Sequence, residues 1–183
     1  MKLNTKRLVL RGLANKDAKS ITENINDLNV SKWLIVVPYP YKLKDAKFWI
    51  NHSKEESREK PRANYTFGIE LKSEEKIIGC IGLHKVDRYQ GIAEAGYWLG
   101  RKYHGQGYGS EALEAVIDFA FKRLKLRRLE AEVFRGNPSS GRLLEKYGFR
   151  EEGLKRKARR SKADGKIKDE YIYGLLREED HKP

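Results

Sequence analysis

Residues 92–100, Ile92-Ala93-Glu94-Ala95-Gly96-Tyr97-Trp98-Leu99-Gly100, run straight into Arg101-Lys102-Tyr103-His104-Gly105-Gln106-Gly107-Tyr108-Gly109-Ser110. Ile92 to Leu99 reads as a strand, Arg101 to Gly109 as a Gly-rich loop. From Ser110 to about Leu124 the spacing of Ala112, Leu113, Val116, Phe119 and Ala120 predicts a largely buried helix. Strand, Gly-rich loop and helix together can hold a phosphate. Glycines let the backbone approach closely, and unpaired N–H groups at a helix start attract the anion. A purely structural turn is the competing reading. The loop lacks the Gly-Lys-Ser/Thr ending of a nucleotide-triphosphate loop. Its third glycine also comes one residue early for a dinucleotide fingerprint, although Glu130 stands at a fitting distance downstream.

Upstream, Arg7 to Arg11 alternates as a strand, and Asn15 is expected to cap a helix carrying Ala18, Ile21, Ile25 and Leu28. The turn Pro38-Tyr39-Pro40 precedes a second helix near Asp45 to Glu59. Tyr65 to Leu71 and Lys76 to Val86 form a hairpin turning at Ser73-Glu74-Glu75. Downstream, Leu129 to Phe134 is a strand and Asn137-Pro138 opens a helix that ends near Tyr147-Gly148. Phe149 to Leu176 reads as two strands joined around Ala163-Asp164-Gly165. This order is not a regular β-α alternation. It predicts an α+β domain, a mostly antiparallel mixed sheet of about seven strands flanked by about four helices, in one domain over 1–183.

With 183 residues, 39% of them hydrophobic, the chain has enough apolar surface for one core without staples. The single cysteine, Cys80, rules out an internal disulfide framework, and in an apolar strand it reads as a small hydrophobe more readily than as an acyl-carrying thiol. His52, His84, His104 and His181 show no metal-ligand spacing, so no metal is expected. No run approaches the ~20 apolar residues of a membrane span, and the charged segment Met1 to Arg11 does not read as a secretory signal; both point to the cytoplasm. The formal net charge of +13 favours anionic partners. Abundant Lys and Glu, with only Gln90 and Gln106 as glutamines, also suit a thermophile.

The chain resembles the GNAT superfamily of N-acetyltransferases, in particular its ribosomal-protein N-terminal acetyltransferases. The resemblance rests on Thr5-Lys6-Arg7-Leu8-Val9-Leu10-Arg11 with Asp17, on Gly96-Tyr97-Trp98-Leu99, on the loop Gly105 to Gly109, on Asn137-x-x-Ser140, and on Glu145-Lys146-x-Gly148-Phe149. His104 departs from the Gln or Arg that usually opens the family loop. The resemblance implies a GNAT fold and acetyl-CoA as co-substrate. The pantetheine arm would lie against Tyr97, Trp98 and Leu99, where neighbouring strands splay. The pyrophosphate would sit on the loop His104, Gly105, Gln106, Gly107, Tyr108, Gly109 and Ser110. Arg101, Lys102 and Lys146 would attract the CoA phosphates, or are solvated surface charges. Asn137 caps the following helix, contacts the cofactor arm, or does both.

Direct transfer to an amine makes three demands. The amine must be neutral, which is easier for an α-amine, with a reference pKa of ~7.7–8.0, than for lysine at ~10.4. The developing oxyanion needs a donor, for which the backbone N–H of Trp98 or Leu99 is the family-like candidate. The leaving thiolate needs a proton. Glu94 is the candidate base, acting through water, against its reading as a solvent-facing strand carboxylate. For the acid, the position where many relatives carry tyrosine is Leu144 here, which leaves Ser140 and Tyr147; Ser140 is preferred, against a helix-start hydroxyl bonded to backbone. Trp33, Trp49 and Tyr39 either shape the acceptor site or simply pack.

The acceptor expected from the resemblance is a protein N-terminus, such as a ribosomal protein's. Residues 150–168 hold nine basic against three acidic residues, net +6, a candidate contact to ribosomal RNA or a solvated strand pair. A polyamine or antibiotic acceptor would call for an acidic cleft instead. A non-catalytic acyl-CoA sensor or RNA-binding module is the remaining class. Nothing in the sequence fixes the oligomeric state.

Overall fold

The computed structural model describes residues 1–180, so His181 and the last residues of the expected domain lie outside the described residues. Eight strands form one sheet in the order β1-β2-β3-β4-β5-β6-β8-β7. They are β1 (Lys2–Asn4), β2 (Leu8–Arg11), β3 (Tyr65–Leu71), β4 (Lys76–Asp87), β5 (Ile92–Leu99), β6 (Arg128–Phe134), β7 (Arg150–Arg160) and β8 (Ile167–Leu176). Every neighbouring pair is antiparallel except β5 with β6. The expected α+β architecture stands, with one strand more than the seven expected. That strand, β1, has a single buried side chain, Leu3, and is too short to show a period.

The helices are α1 (Ala18–Ile25), the one-turn α2 (Leu28–Ser31), α3 (Leu43–Glu56), α4 (Tyr108–Asp118) and α5 (Pro138–Lys146), five instead of about four. The helix expected to reach Leu28 stops at Asn26, because the Asp27 carboxylate accepts from the Asn29 amide at 2.7 Å and caps a new turn. Asn15 is not a cap: it starts a 3₁₀ turn, and the Asp17 carboxylate accepts the Ala14 N–H at 2.7 Å. α4 ends in a π-helical turn over Phe119–Arg123, closed by the Leu124 N–H on the Phe119 carbonyl. Its wider winding buries Phe119, Ala120 and Phe121 in succession, and Phe119 meets Phe67 edge-on at 5.7 Å.

Two apolar clusters grip the sheet. On one face, Leu113, Val116 and Ile117 of α4 and Leu144 of α5 pack on Ile81, Leu83, Ala93, Leu129 and Tyr173. On the other, Ile21 and Ile25 of α1 and Ala46 and Ile50 of α3 cover Ile77 and Cys80. Cys80 is fully buried and its thiol pKa is pushed up to about 12 by burial, so it is inert packing. Among the described residues no helix is long and apolar enough to cross a membrane, and no cluster of three potential metal ligands occurs.

A buried ion cluster explains why Arg11 and Asp17 travel together in the sequence motif. The Arg11 guanidinium donates to both Asp17 oxygens at 2.7 and 2.9 Å and to Glu70 at 2.6 Å. It thereby ties β2 to β3 and to the start of α1. Burial alone pushes the Asp17 carboxyl up, but the Arg11 and Ala14 hydrogen bonds outweigh it and hold it below its usual range. Arg11→Ala is expected to destabilise the protein by ~3–5 kcal/mol, because two part-buried carboxylates lose their cation. Asp17 contributes stability above its unfolded pKa of ~3.9, and that contribution disappears as pH falls through the lower folded value. Urea midpoints followed from pH 6 to pH 2.5 should therefore fall less steeply in Asp17→Asn than in the native chain.

Candidate active site

β5 and β6 share only three registered pairs, Ile92↔Arg128, Ala93↔Leu129 and Glu94↔Glu130. Beyond them β5 stays on β4 as far as Leu99↔Gly79, and β6 stays on β8 as far as Phe134↔Glu170. The strands therefore part, and residues 95–99 face 131–134 across an unbridged gap. The Trp98 carbonyl is turned to β4, where it would collide with a Cβ at Gly79. Alternation then turns the Leu99 amide, not that of Trp98, towards the gap. The Leu99 carbonyl, on the same edge, accepts from His104 Nε2 at 2.9 Å, so His104 fastens the Gly-rich loop to the strand.

Gly105 and Gly107 have φ of +73° and +79°, in the left-handed region that a side chain would strain. Gly107 is the N-cap of α4 and brings no side chain to cap it, so the first-turn amides of Tyr108, Gly109 and Ser110 stay open to an anion. The Glu111 carboxylate, one residue on, is turned away. Its Oε1 accepts from the Thr5 hydroxyl (2.5 Å) and the Arg7 amide (2.6 Å), and its Oε2 from Arg7 Nε (2.7 Å). Arg7 also donates to the Gln106 carbonyl at 2.9 Å and lies over the Tyr108 ring at 4.4 Å. The β1–β2 turn thus clamps the loop from outside. Gln106 Nε2 donates to the Lys102 carbonyl at 2.8 Å. These features fit a pyrophosphate: open amides, glycines at positive φ, and no carboxylate facing inward.

On the α5 side of the gap, Ser140 Oγ lies 2.8 Å from the Tyr97 hydroxyl. Burial pushes the Tyr97 phenol up to about 12, with the Ser140 hydrogen bond opposing, so it stays a donor at neutral pH. Asn137 takes the N-cap position of α5, yet its side chain makes no capping bond, so the amide is left for another partner. Among the cations expected near the CoA phosphates, Lys102 and Lys146 lie over the Tyr103 and Tyr147 rings, and Arg101 is 3.8 Å from Asp27. Tyr147 is buried in the core beneath α5.

Register places Glu94, Glu130, Glu132 and Glu170 on the sheet face opposite Ser140, beside His84, which pairs with Glu94 across β4 and β5. Burial holds the His84 imidazole below its usual pKa, so the ring is neutral at pH 7. Glu94 accepts from Lys85 Nζ at 2.7 Å. Arg128 bridges Glu130 (2.9 Å) and Glu152, and Lys155 reaches Glu132 at 2.6 Å. Trp33 caps the end of this face, its ring against Gly136 and under Lys168, whereas Trp49 packs in the α1–α3 cluster and Tyr39 is exposed.

The loop, the strand edge, Asn137 and Ser140 thus gather around one gap, with Glu94 on its far face. Sequence reasoning missed three features: the Tyr97–Ser140 bond, the Glu111 clamp and the acidic row ending at Glu170. Only the alternation of Glu130 and Glu132 along β6 signalled the last of these.

The acetyltransferase (GNAT) domain family matches residues 7–150 of the chain. The chain is 36% identical over 177 residues to the uncharacterized N-acetyltransferase p20 of Bacillus licheniformis, covering 97% of each. It is 34% identical over 85 residues to the ribosomal-protein-serine acetyltransferase of Escherichia coli, covering 46% of this chain and 48% of that one. The solved GNAT-family acetyltransferase of Bacillus anthracis superposes with a TM-score of 0.81 at 30% identity, over 98% of this chain and 100% of that one. With a matched domain spanning most of its length and a relative matching end to end, this chain belongs to the GNAT family of acetyl-CoA-dependent N-acetyltransferases.

Proposed function

We propose that this acetyltransferase acts on a single α-amine at a protein N-terminus, with ribosomal proteins as the substrate class. The observation that carries the reading is the charge balance beside the gap. Five carboxylates there, Glu94, Glu130, Glu132, Glu152 and Glu170, stand against the four cations Lys85, Arg128, Arg159 and Lys155. One negative charge in excess suits one ammonium. The acidic row is also what favours a second reading, a polycationic small amine. Such a substrate needs several uncompensated carboxylates, and internal pairing has consumed them. The partial similarity to a ribosomal-protein-serine acetyltransferase adds to the first reading.

Acetyl-CoA supplies the acyl group as a thioester. The amides of Gly105 to Ser110 bind its pyrophosphate, and the free edge Tyr97–Leu99, with the Asn137 side chain, orients its arm. The Leu99 N–H, aimed into the gap, donates to the carbonyl oxygen as negative charge builds on it. Glu94 takes the proton of the amine through water. Its ion pair with Lys85 leaves Lys85 largely in solvent, so it binds the carboxylate weakly. Ser140 Oγ, backed by the Tyr97 hydroxyl, delivers a proton to the departing sulfur and regains one from solvent, matching the amine proton that Glu94 releases there.

Outside the site, the basic 150–168 segment is less uniform than its composition. Arg150, Lys155, Arg159 and Lys168 form ion pairs with Glu179, Glu132, Glu170 and Asp164. Arg156 and Lys157, on a bulge of β7, and Lys162 and Lys166, at the β7–β8 turn, have no carboxylate within ion-pair distance among the described residues. These four form the surface we assign to ribosomal RNA.

A thiol-release assay with acetyl-CoA should show turnover on ribosomal N-terminal peptides that vanishes when their α-amine is blocked; turnover on spermidine alone would overturn the reading. Gly107→Val is expected to raise the KM for acetyl-CoA at least ~10-fold, because the left-handed N-cap is lost, whereas Glu94→Gln should lower kcat by ~10²–10⁴ and spare that KM. Replacing Arg156, Lys157, Lys162 and Lys166 by Ser should flatten the salt dependence of ribosome binding by ~0.7–0.9 for each phosphate no longer neutralised, with peptide turnover unchanged. An unaltered salt slope would dismiss the docking role.

A further inference from the structure

The acidic row ends in a carboxylate with one oxygen that accepts no hydrogen bond. Glu170 is 2% exposed, and its Oε2 has no hydrogen-bond partner. A buried carboxylate oxygen without a donor is costly, and such groups persist where a ligand or a function makes use of them. The nearest cation, Arg159 Nε, stops 3.7 Å from Oε2, and Arg159 Nη2 stops 3.9 Å from Glu132 Oε2. The guanidinium therefore hangs between two carboxylates, beyond hydrogen-bond reach of both. About half of the Arg159 side chain is in solvent, and the strand leading to it is slack: between Lys155 and Arg159 the β7–β8 register is interrupted, and Lys157 has a φ of +49°.

Position adds to chemistry. Glu170 is paired with Phe134, the last residue of β6, whose edge borders the gap. It lies on the same face as Glu94, on the side away from Ser140.

We propose that Glu170 is the receptor for the acceptor's ammonium group, and that Arg159 is a resident cation which occupies this site until the acceptor displaces it. The inference rests on the amine-acceptor reading above and deepens it by naming the residue that binds the amine. Glu132, held at 2.6 Å by Lys155, is the second carboxylate of the receptor and keeps its own cation when Arg159 leaves. Burial and the neighbouring Glu132 raise the Glu170 pKa, with Arg159 and Lys155 opposing and Glu94 adding slightly, so a cation delivered to this carboxyl relieves an unfavourable charge. Exchange of an arginine for an ammonium keeps a single cation at Glu170 at any time, because Glu132 retains Lys155.

The test uses alaninamide, the smallest amide-capped α-amine, with N-acetylalaninamide as control, and reads the carboxyl ¹³C resonances of Glu-labelled protein saturated with CoA. The Glu170 signal is identified by its absence in Glu170→Gln. A saturable shift of that signal by alaninamide and not by the control is the expected result, with a Kd at least ~3-fold lower in Arg159→Ala. No saturable shift in either protein overturns the proposal. So does binding in Glu170→Gln as tight as in the native chain, read from its remaining carboxyl signals. In turnover, Glu170→Gln should raise the KM for the amine ~10-fold or more, as loss of a charged hydrogen bond implies, and leave the KM for acetyl-CoA unchanged. If the best amine is a small molecule and not a peptide, the N-terminal reading fails while the same KM effect keeps Glu170 in place. If peptides are turned over equally well by Glu170→Gln, the receptor fails and the N-terminal reading stands.

Discussion

The parting of β5 from β6 after three residues is the constraint on which the site depends. Each strand is fully engaged on its other side, β5 with β4 through Leu99 and β6 with β8 through Phe134. Neither can turn to follow the other without giving up a longer antiparallel ladder. Three parallel pairs, Ile92 to Glu94 with Arg128 to Glu130, join the two halves of the sheet, and the twist of each half then carries them apart. On the far side the gap is held by α5. Gly141 lets that helix sit so close that a Cβ there would come within 2.9 Å of the Tyr173 hydroxyl, and Ser140 reaches across to Tyr97. An opening in a sheet exposes backbone donors already fixed in direction, which is what recognition of an extended, amide-containing arm requires.

The N-terminal strand makes the opening rigid. Arg11 joins β2 to Asp17 and Glu70, and Arg7 joins the turn before β2 to Glu111 on α4 and to the Gln106 carbonyl. The first cluster fixes the helices over one face. The second holds the anion loop from outside and uses both oxygens of the one carboxylate that would otherwise compete for the first-turn amides. Two arginines four residues apart in sequence therefore serve the fold and the loop separately.

Much of this was legible in the sequence because it is written in periodicity and in backbone-special residues. The hairpin Tyr65 to Val86, the helix opening at Pro138 and the loop glycines are local signals, and the structure places them within a few residues of expectation. What escaped was decided by side chains distant in sequence. Asn15 looked like a cap, but it lies inside a 3₁₀ turn whose entrance is held by Asp17 on the Ala14 amide, and its Oδ1 accepts from Lys54 Nζ instead. β1 carries one buried residue and becomes a strand only because β2 offers an edge. Ser140 stood out as a hydroxyl near the reaction centre, but its tie to Tyr97 spans 43 residues. Glu170 lies in a run of charges, Lys166 to Glu170, that resembles a solvated turn, and only the β6–β8 register shows that one member of the run points inward.

The net charge of +13 and the acidic row act over different distances. Surface charges work through a solvent that screens them within about 8–10 Å, so a basic exterior raises the encounter rate with polyanions without choosing among amines. At the gap, contacts are 2.6–3.9 Å long and partly shielded from water, and there the balance between Glu132 or Glu170 and Lys155 or Arg159 governs which cation is accepted. A protein that must draw in CoA phosphates and bind a cationic amine at the same centre needs this separation. Had the excess positive charge reached the carboxylates directly, the amine would have been repelled from the thioester. With the unpaired cations of this segment on the β7 bulge and the β7–β8 turn, away from the row, the acceptor face keeps one negative charge in excess.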